Sequence, residues 1–120
     1  MNDSRARASG AAGEETAAAY LADKNFSIIE RNYRYGKYGE IDIIAGRDRL
    51  VIFVEVKSRN SQRFGGALYS IGSKKKQSMR TVARAFIQSH PQYNDPGITF
   101  RFDMIAVSDG AVDWIEDIVR

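Results

Sequence analysis

Residues 40–57 read EIDIIAGRDRLVIFVEVK, and this stretch decides the fold. Two runs rich in β-branched residues, 40–45 and 50–57, predict two strands. The polar segment GRDR at 46–49 predicts a tight connection between them. The second strand is apolar on both alternating faces until its last residues, which is typical of a strand buried inside a sheet. The stretch therefore indicates a β-hairpin at the centre of the fold.

The segments on either side complete an α/β pattern. Residues 13–24 are rich in alanine and predict a helix, and residues 26–33 predict a strand. Residues 60–72 are polar and contain glycine, which indicates a loop that could cover a site. Ser73 is a candidate N-cap of a second helix, 73–89, with an apolar stripe at three- and four-residue spacing. Two final strands, 99–107 and 111–115, give the order αβββαββ.

Length and composition favour one soluble domain. The chain has 120 residues and no cysteine, which excludes disulfides, thiolate zinc sites and a cysteine nucleophile. We predict a flexible leader at 1–12 and a single domain at 13–120. No apolar run is long enough to cross a bilayer, so we expect a cytoplasmic protein without a membrane partner.

Basic residues are concentrated in one part of the chain. Between Lys57 and Asn94 there is no acidic residue, although the formal net charge is only +3. Such a tract favours a polyanion partner, while a solvated basic helix face explains it equally well. The candidate nucleic-acid contacts in the tract are Arg59, Lys74, Lys75, Lys76, Arg80 and Arg84.

Charged residues end the buried second strand. Glu55 and Lys57 share one face of it, and a buried charge needs a partner or an ion. The hairpin is predicted to set Asp42 opposite Phe53 and Glu40 opposite Glu55, all on this face. Like charges across a strand pair repel, so a divalent cation would explain the cluster. Oxygen ligands suit Mg²⁺ or Mn²⁺; the alternative is a salt bridge at the strand end.

This arrangement predicts phosphodiester chemistry. A metal held by Asp42 and Glu55 would polarise a phosphodiester and lower the pKa of a bound water. Lys57 would position that water or neutralise the charge that develops on the phosphate. Glu14, on the inward stripe of the first helix, would add a carboxylate. Its alternative role is that of an acid favoured near a helix N-terminus.

These residues also carry a family resemblance. An acidic residue on an opening helix, then Asp42, then Glu55-Val56-Lys57 resembles the pattern of the PD-(D/E)xK nuclease superfamily. The blocks GEETAAAYL, RNYRYGKYGEIDIIA, VIFVEVKSR and RFDMIAV look like the YraN family of bacterial proteins, which is similar to archaeal Holliday-junction resolvases. Ile41 stands where the superfamily pattern has proline.

The resemblance implies both a fold and a site. The fold would be a restriction-endonuclease-like mixed central sheet flanked by helices. The metal ligands would be Asp42, Glu55 and the main-chain carbonyl of Val56, with Lys57 as the catalytic lysine and Glu14 as the helix glutamate. The predicted function is a Mg²⁺- or Mn²⁺-dependent DNA endonuclease, with branched DNA as one candidate substrate and a homodimer left open. The alternatives are a non-catalytic nucleic-acid-binding protein of the same fold and a protein-binding scaffold.

Other polar and aromatic residues receive structural predictions. His90, the only histidine, is expected to cap the second helix. Asp103 is expected to be structural, and Trp114 to lie in the core or on a dimer surface. Three tyrosines are interleaved with basic residues in the segment 31–38, and they could pack at a turn or stack on exposed bases.

Overall fold

The computed structural model describes residues 3–59 and 71–119, with side chains at 11–58 and 71–119. In these residues one sheet lies between two helices. The predicted order αβββαββ is confirmed, with two added 3₁₀ turns, Gly36–Tyr38 and Pro91–Tyr93. The elements are α1 Asp3–Asp23, β1 Ser27–Arg34, β2 Glu40–Arg47, β3 Leu50–Arg59, α2 Ser73–Ser89, β4 Thr99–Ser108 and β5 Ala111–Ile115.

The five strands form one mixed sheet in the order β1-β2-β3-β4-β5. Strands β3 and β4 pair in parallel, and the other neighbours pair antiparallel. A parallel pair needs a crossover, and α2 provides it. β3 lies in the middle, and Ile52, Phe53 and Val54 are fully buried. The predicted mixed sheet flanked by helices is confirmed.

Each helix covers one face of the sheet with a single apolar stripe. Ala17, Ala18 and Leu21 of α1 pack over Ile43, Ile52, Val54 and Ile105. Val82, Ala83 and Phe86 of α2 pack over Ile41, Ile44, Val51 and Phe53. Within the part of the chain that the structure describes, neither helix has an apolar stretch long enough to cross a membrane.

The two helix starts differ from the prediction. α1 begins at Asp3 rather than at residue 13. Arg5, Ala6 and Ala8 are good helix formers, so the helix extends towards the N-terminus. The treatment of residues 1–12 as a leader stays a prediction. Ser73 is not the N-cap of α2: Gly72 occupies that position in an extended conformation, with φ −69° and ψ 161°.

A buried carboxylate on β4 fastens the C-terminal part of the chain. Asp103 is fully buried, and both of its oxygens accept hydrogen bonds from Arg101, at 2.9 and 2.8 Å. The indole N–H of Trp114 and the main-chain N–H of Asp117 also donate to it, each at 2.9 Å. Trp114 is partly buried and packs edge-on against Phe26 at the edge of the core under α1. The structural role predicted for Asp103 is confirmed, and Trp114 packs against the core, as the first of its two predictions states.

His90 ends α2 as predicted. It is the C-cap residue of the helix, and its ring nitrogen Nδ1 lies 2.8 Å from the carbonyl oxygen of Phe86. Its ring stacks on that of Phe86 at 4.0 Å. His90 therefore stabilises a helix end and takes no part in the site described next.

Candidate metal centre

The β2–β3 hairpin has a tighter turn than predicted. Arg47 pairs with Leu50 and Ile43 with Val54, so only Asp48 and Arg49 connect the strands. Asp48 adopts the left-handed conformation, φ 56°, that a two-residue hairpin turn needs. Continued by one pair, this register sets Asp42 level with Glu55, not opposite Phe53. The predicted register was therefore wrong by two residues.

β2 departs from regular alternation at Asp42. Ile41 packs in the core under α2 and Ile43 in the core under α1, although one residue separates them. In an unbroken strand they would share a face. The ladder between β2 and β3 ends at this point, and the main-chain N–H of Val56 donates to Oδ2 of Asp42 at 2.8 Å. This charge-assisted hydrogen bond holds the Asp42 carboxylate against the end of β3.

Glu55 lies between two lysines. It is only 9% exposed, and its Oε1 is 3.2 Å from the ammonium of Lys75 on α2. Its Oε2 is 3.8 Å from the ammonium of Lys57, the next residue on its face. The predicted neighbours Glu55 and Lys57 are therefore in contact. Lys75, predicted only as a phosphate contact, also belongs to the centre.

Helix α1 brings Glu14 to the same end of the sheet. Gly13 is buried against β3, where a Cβ built on it would lie 2.8 Å from the Cβ of Ser58. A residue without a side chain allows this close approach. Glu14 is half-buried, and its charge acts on Asp42. The structure thus brings together the predicted residues Glu14, Asp42, Glu55, Val56 and Lys57.

Burial raises the pKa of Asp42 from its ordinary value of 3.8 to about 7. Desolvation is the main cause, and the negative charge of Glu55 is the next. The hydrogen bond from Val56 lowers the pKa, Glu14 raises it, and Lys75 lowers it. A carboxylate in this setting needs more positive charge nearby to be stable as an anion. A bound divalent cation would supply that charge.

The donors at the centre fit a hard cation. In the described ranges 3–59 and 71–119, no three histidine, cysteine, aspartate or glutamate side chains form a metal cage. Asp42 and Glu55 instead offer two carboxylates, with the carbonyl of Val56 as a further oxygen. Mg²⁺ typically binds through one or two carboxylates and keeps several waters. The residues present therefore fit Mg²⁺ or Mn²⁺ and do not fit zinc.

Asp42→Asn is expected to stabilise the metal-free protein at about pH 8. The folded protein keeps the Asp42 proton up to a pKa of about 7, whereas the ordinary value of 3.8 applies to the unfolded chain. The folded state binds more protons between these values, so its free energy of unfolding falls as pH rises through them. Asparagine does not ionise, so the variant avoids this fall in the free energy of unfolding. The fall is on the order of 1–2 kcal/mol for a partly solvated group.

Urea unfolding of both proteins in EDTA, at about pH 5 and about pH 8, measures this difference. The same pair reports on metal binding. Mg²⁺ at roughly 100 times its Kd is expected to stabilise the wild type by about 2.7 kcal/mol and the variant by much less. An identical pH dependence in the two proteins would contradict the assignment of Asp42.

The predicted nucleic-acid contacts lie mainly on α2. Lys74 is exposed, and Lys76, Arg80 and Arg84 follow one another at four-residue spacing along the helix. Arg59 belongs to β3, but its side chain lies outside the described residues, as does most of the predicted loop 60–72.

Glu40 does not join the centre, in contrast to its predicted position opposite Glu55. It pairs with Arg34 across β1 and β2, and its Oε1 lies 3.5 Å from the guanidinium of Arg34. The two-residue change of register moves it beyond Glu55. Lys75 lies next to Glu55, where the sequence predicted Glu40. The sequence signal for Lys75 was the run of three lysines at the start of α2, where the helix dipole disfavours positive charge.

Comparison with known proteins agrees with the resemblance to the YraN family. The sequence model of the Uncharacterised protein family UPF0102 matches residues 13–107. The chain belongs to this family. A UPF0102 protein of Nitrosomonas europaea is 36% identical over 111 residues, which cover 90% of each chain. One from Moorella thermoacetica is 41% identical over 101 residues, which cover 84% of this chain and 81% of the relative. The predicted membership of the YraN family is confirmed.

The part of the chain matched by UPF0102 contains the whole candidate centre. Glu14 stands at its beginning, Asp42 and Glu55 lie within it, and it ends with Val107 of β4. The names of these relatives state a family and no activity. The chemistry of the centre is therefore argued from its residues.

Proposed function

We propose that this UPF0102 protein is a metal-dependent endonuclease of the PD-(D/E)xK type, which hydrolyses DNA phosphodiester bonds with Mg²⁺ or Mn²⁺. One observation carries the proposal: two carboxylates, the half-buried Asp42 and the buried Glu55, interact electrostatically at a strand end, where Glu55 also pairs with Lys57. Burial, and then the negative charge of Glu55, raise the pKa of Asp42, which favours a cation as the missing partner. The resemblance of Asp42 and Glu55-Val56-Lys57 to the PD-(D/E)xK pattern supports the same proposal.

Each residue of the centre has a role in hydrolysis. When bound, a divalent cation polarises the phosphodiester and lowers the pKa of a water molecule. Asp42 and Glu55 hold the cation, and the hydrogen bond from Val56 fixes Asp42 in advance. Lys57 orients the attacking water and offsets the negative charge that develops on the phosphate. Water adds to phosphorus, the bond to the leaving oxygen breaks, and that oxygen takes up a proton.

The first turn of α2 supports a polyanionic substrate. It contains Lys74, Lys75 and Lys76 and no acidic residue. The positive end of the helix dipole disfavours lysine and favours an anion there. Glu55 meets only Lys75 of the three. DNA phosphates would meet the others, and branched DNA is one candidate substrate. A homodimer would present two centres to the two strands.

The second candidate function is non-catalytic binding of nucleic acid by the same fold. The observation that favours it is the pairing of Glu55 with two lysines, which neutralises one ligand without a metal. Both functions predict DNA affinity that falls steeply with salt. Only the endonuclease breaks phosphodiester bonds and so produces shorter DNA fragments.

Metal-dependent cleavage of a panel of linear, single-stranded and four-way DNA tests the proposal. We expect cutting of at least one form with Mg²⁺ or Mn²⁺, because the carboxylates then have their cation, and none in EDTA. Asp42→Asn, purified in parallel, is the control and is expected to be inactive. DNA that is bound but left intact in every form would favour the second candidate. Equal cutting by Asp42→Asn would refute the proposed centre.

A further inference from the structure

Tyr35 and Tyr38 form an outward-facing aromatic pair, called here the tyrosine pair. They are the large hydrophobic side chains that stay exposed in the described residues, at 43% and 51%. Their rings stack with centroids 5.4 Å apart and planes 22° apart. Tyr33 of the same segment instead packs edge-on against Phe86 at 5.3 Å. The structure therefore separates one core tyrosine from two that face solvent.

The turn that carries the tyrosine pair is built by the main chain. Tyr38 N–H donates to the carbonyl of Tyr35 at 2.9 Å, and Tyr35 N–H donates to the carbonyl of Gly39 at 3.0 Å. Gly36 and Gly39 adopt φ 51° and 136°, and φ 136° is accessible almost only to glycine. The Ser78 hydroxyl on α2 donates to the Tyr38 carbonyl. The main chain thus holds both rings in an exposed position. Hydrophobic burial therefore does not explain why aromatic residues stand there.

The surroundings of the tyrosine pair are cationic. With Thr81, Arg84, Ala85 and Gln88 of α2, the pair lines a groove of about 270 Å³ that has no acidic lining residue. The ammonium of Lys37 lies 5.9 Å from the centre of the Tyr38 ring. Aromatic faces next to cations suit a nucleic-acid strand, whose bases stack on the rings while its phosphates pair with the cations.

Helix α2 connects this groove with the candidate metal centre. Lys75 contacts Glu55, while Thr81 and Arg84 line the groove. These positions are about 9–14 Å apart along the helix axis. That distance corresponds to at most about four nucleotides, because 3.4 Å is the rise per nucleotide in duplex DNA and an unpaired strand extends further. A single strand could therefore reach both. The paired bases of a duplex are stacked on one another, so only unpaired bases can stack on the tyrosines.

We propose that the tyrosine pair binds unpaired nucleobases of a strand that runs to the metal centre. The preferred DNA then contains a single-stranded segment, such as an overhang, a gap or a displaced strand, next to the phosphodiester that is cut. The position of the cut rests on the proposed endonuclease function. The base-binding site itself needs no metal, so it can be tested separately.

Binding in EDTA tests the site without cleavage. Fluorescence anisotropy compares a blunt duplex with the same duplex carrying a single-stranded overhang, and the wild type is expected to prefer the overhang. The double variant Tyr35→Leu/Tyr38→Leu keeps apolar bulk without an aromatic face. It is expected to bind the overhang DNA roughly 10- to 100-fold more weakly and the blunt duplex unchanged. The matched control, Tyr35→Phe/Tyr38→Phe, keeps the preference.

A spectroscopic readout distinguishes stacking from general attraction. 2-Aminopurine in the overhang is expected to be quenched by the wild type and by the phenylalanine variant, and not by the leucine variant. Equal affinity of wild type and leucine variant for the overhang DNA overturns the base-binding site and leaves the endonuclease proposal standing. A tyrosine-dependent preference in a protein that cuts no DNA supports the site and removes the endonuclease. Failure of the wild type to bind either DNA overturns both.

Discussion

Lys57→Ala is expected to lower metal-dependent DNA cleavage by on the order of 10³-fold while DNA affinity stays nearly unchanged. The ammonium of Lys57 lies 3.8 Å from Glu55, beside the atoms that would hold the cation. In the proposed reaction its charge would act on the reacting phosphate and water, and that interaction would strengthen in the transition state. The basic residues of α2, which are the candidate DNA contacts, are unchanged in this variant. Single-turnover cleavage and anisotropy on the same substrate measure the two quantities.

A lysine far from the centre provides the matched control. Lys24 follows α1, and its ammonium lies 5.2 Å from the ring centre of Tyr20. Lys24→Ala removes the same charge and is expected to cut at the wild-type rate. If Lys57→Ala cut DNA as fast as Lys24→Ala, the catalytic role of Lys57 would be ruled out.

Asp103→Asn is expected to destabilise the fold by about 3–5 kcal/mol. The carboxylate is fully buried and accepts two hydrogen bonds from Arg101, one from Trp114 and one from Asp117. Asparagine removes the negative charge and turns a donor group towards other donors. Arg101, 23% exposed, then loses its main counter-charge. The melting temperature should fall by roughly 10–20 °C, measured by calorimetry or circular dichroism.

An exposed carboxylate serves for comparison. Glu30 is exposed on β1, and Glu30→Gln is expected to change stability by less than about 0.5 kcal/mol. Near-equal melting temperatures for Asp103→Asn and the wild type would show that the buried network contributes little. Because Asp103 lies outside the centre, cleavage by the variant well below its melting temperature should resemble that of the wild type.

The strands and helices could be predicted because their signals are local. Alternating or continuous apolar residues mark β2 and β3, and the stripe of Met79, Val82, Ala83 and Phe86 marks α2. The proximity of Asp42 and Glu55 was also predictable, because a register error of two residues still places Asp42 near the end of β3. The candidate residues therefore lie together at one strand end, although the predicted register was wrong.

The details of the centre depend on contacts between distant segments. The irregularity of β2 at Asp42 follows from packing against both cores, which no local pattern records. The contact of Lys75 with Glu55 joins residues on α2 and β3, and nothing in a run of three lysines tells which one turns inward. The raised pKa of Asp42 combines desolvation with charges from α1, β3 and α2.

The sequence by itself determined the order of elements, the central hairpin and the family, and it identified Asp42, Glu55 and Lys57 as one group. Hydrophobic periodicity and short motifs are local properties, and they need no knowledge of the packing. Only the tertiary structure decided which lysine meets Glu55, that Glu40 turns away to Arg34, and that Tyr35 and Tyr38 face solvent while Tyr33 is packed. Those outcomes depend on how α1 and α2 lie across the sheet. The burial and the charge of the centre therefore depend on contacts between segments that are far apart in the chain.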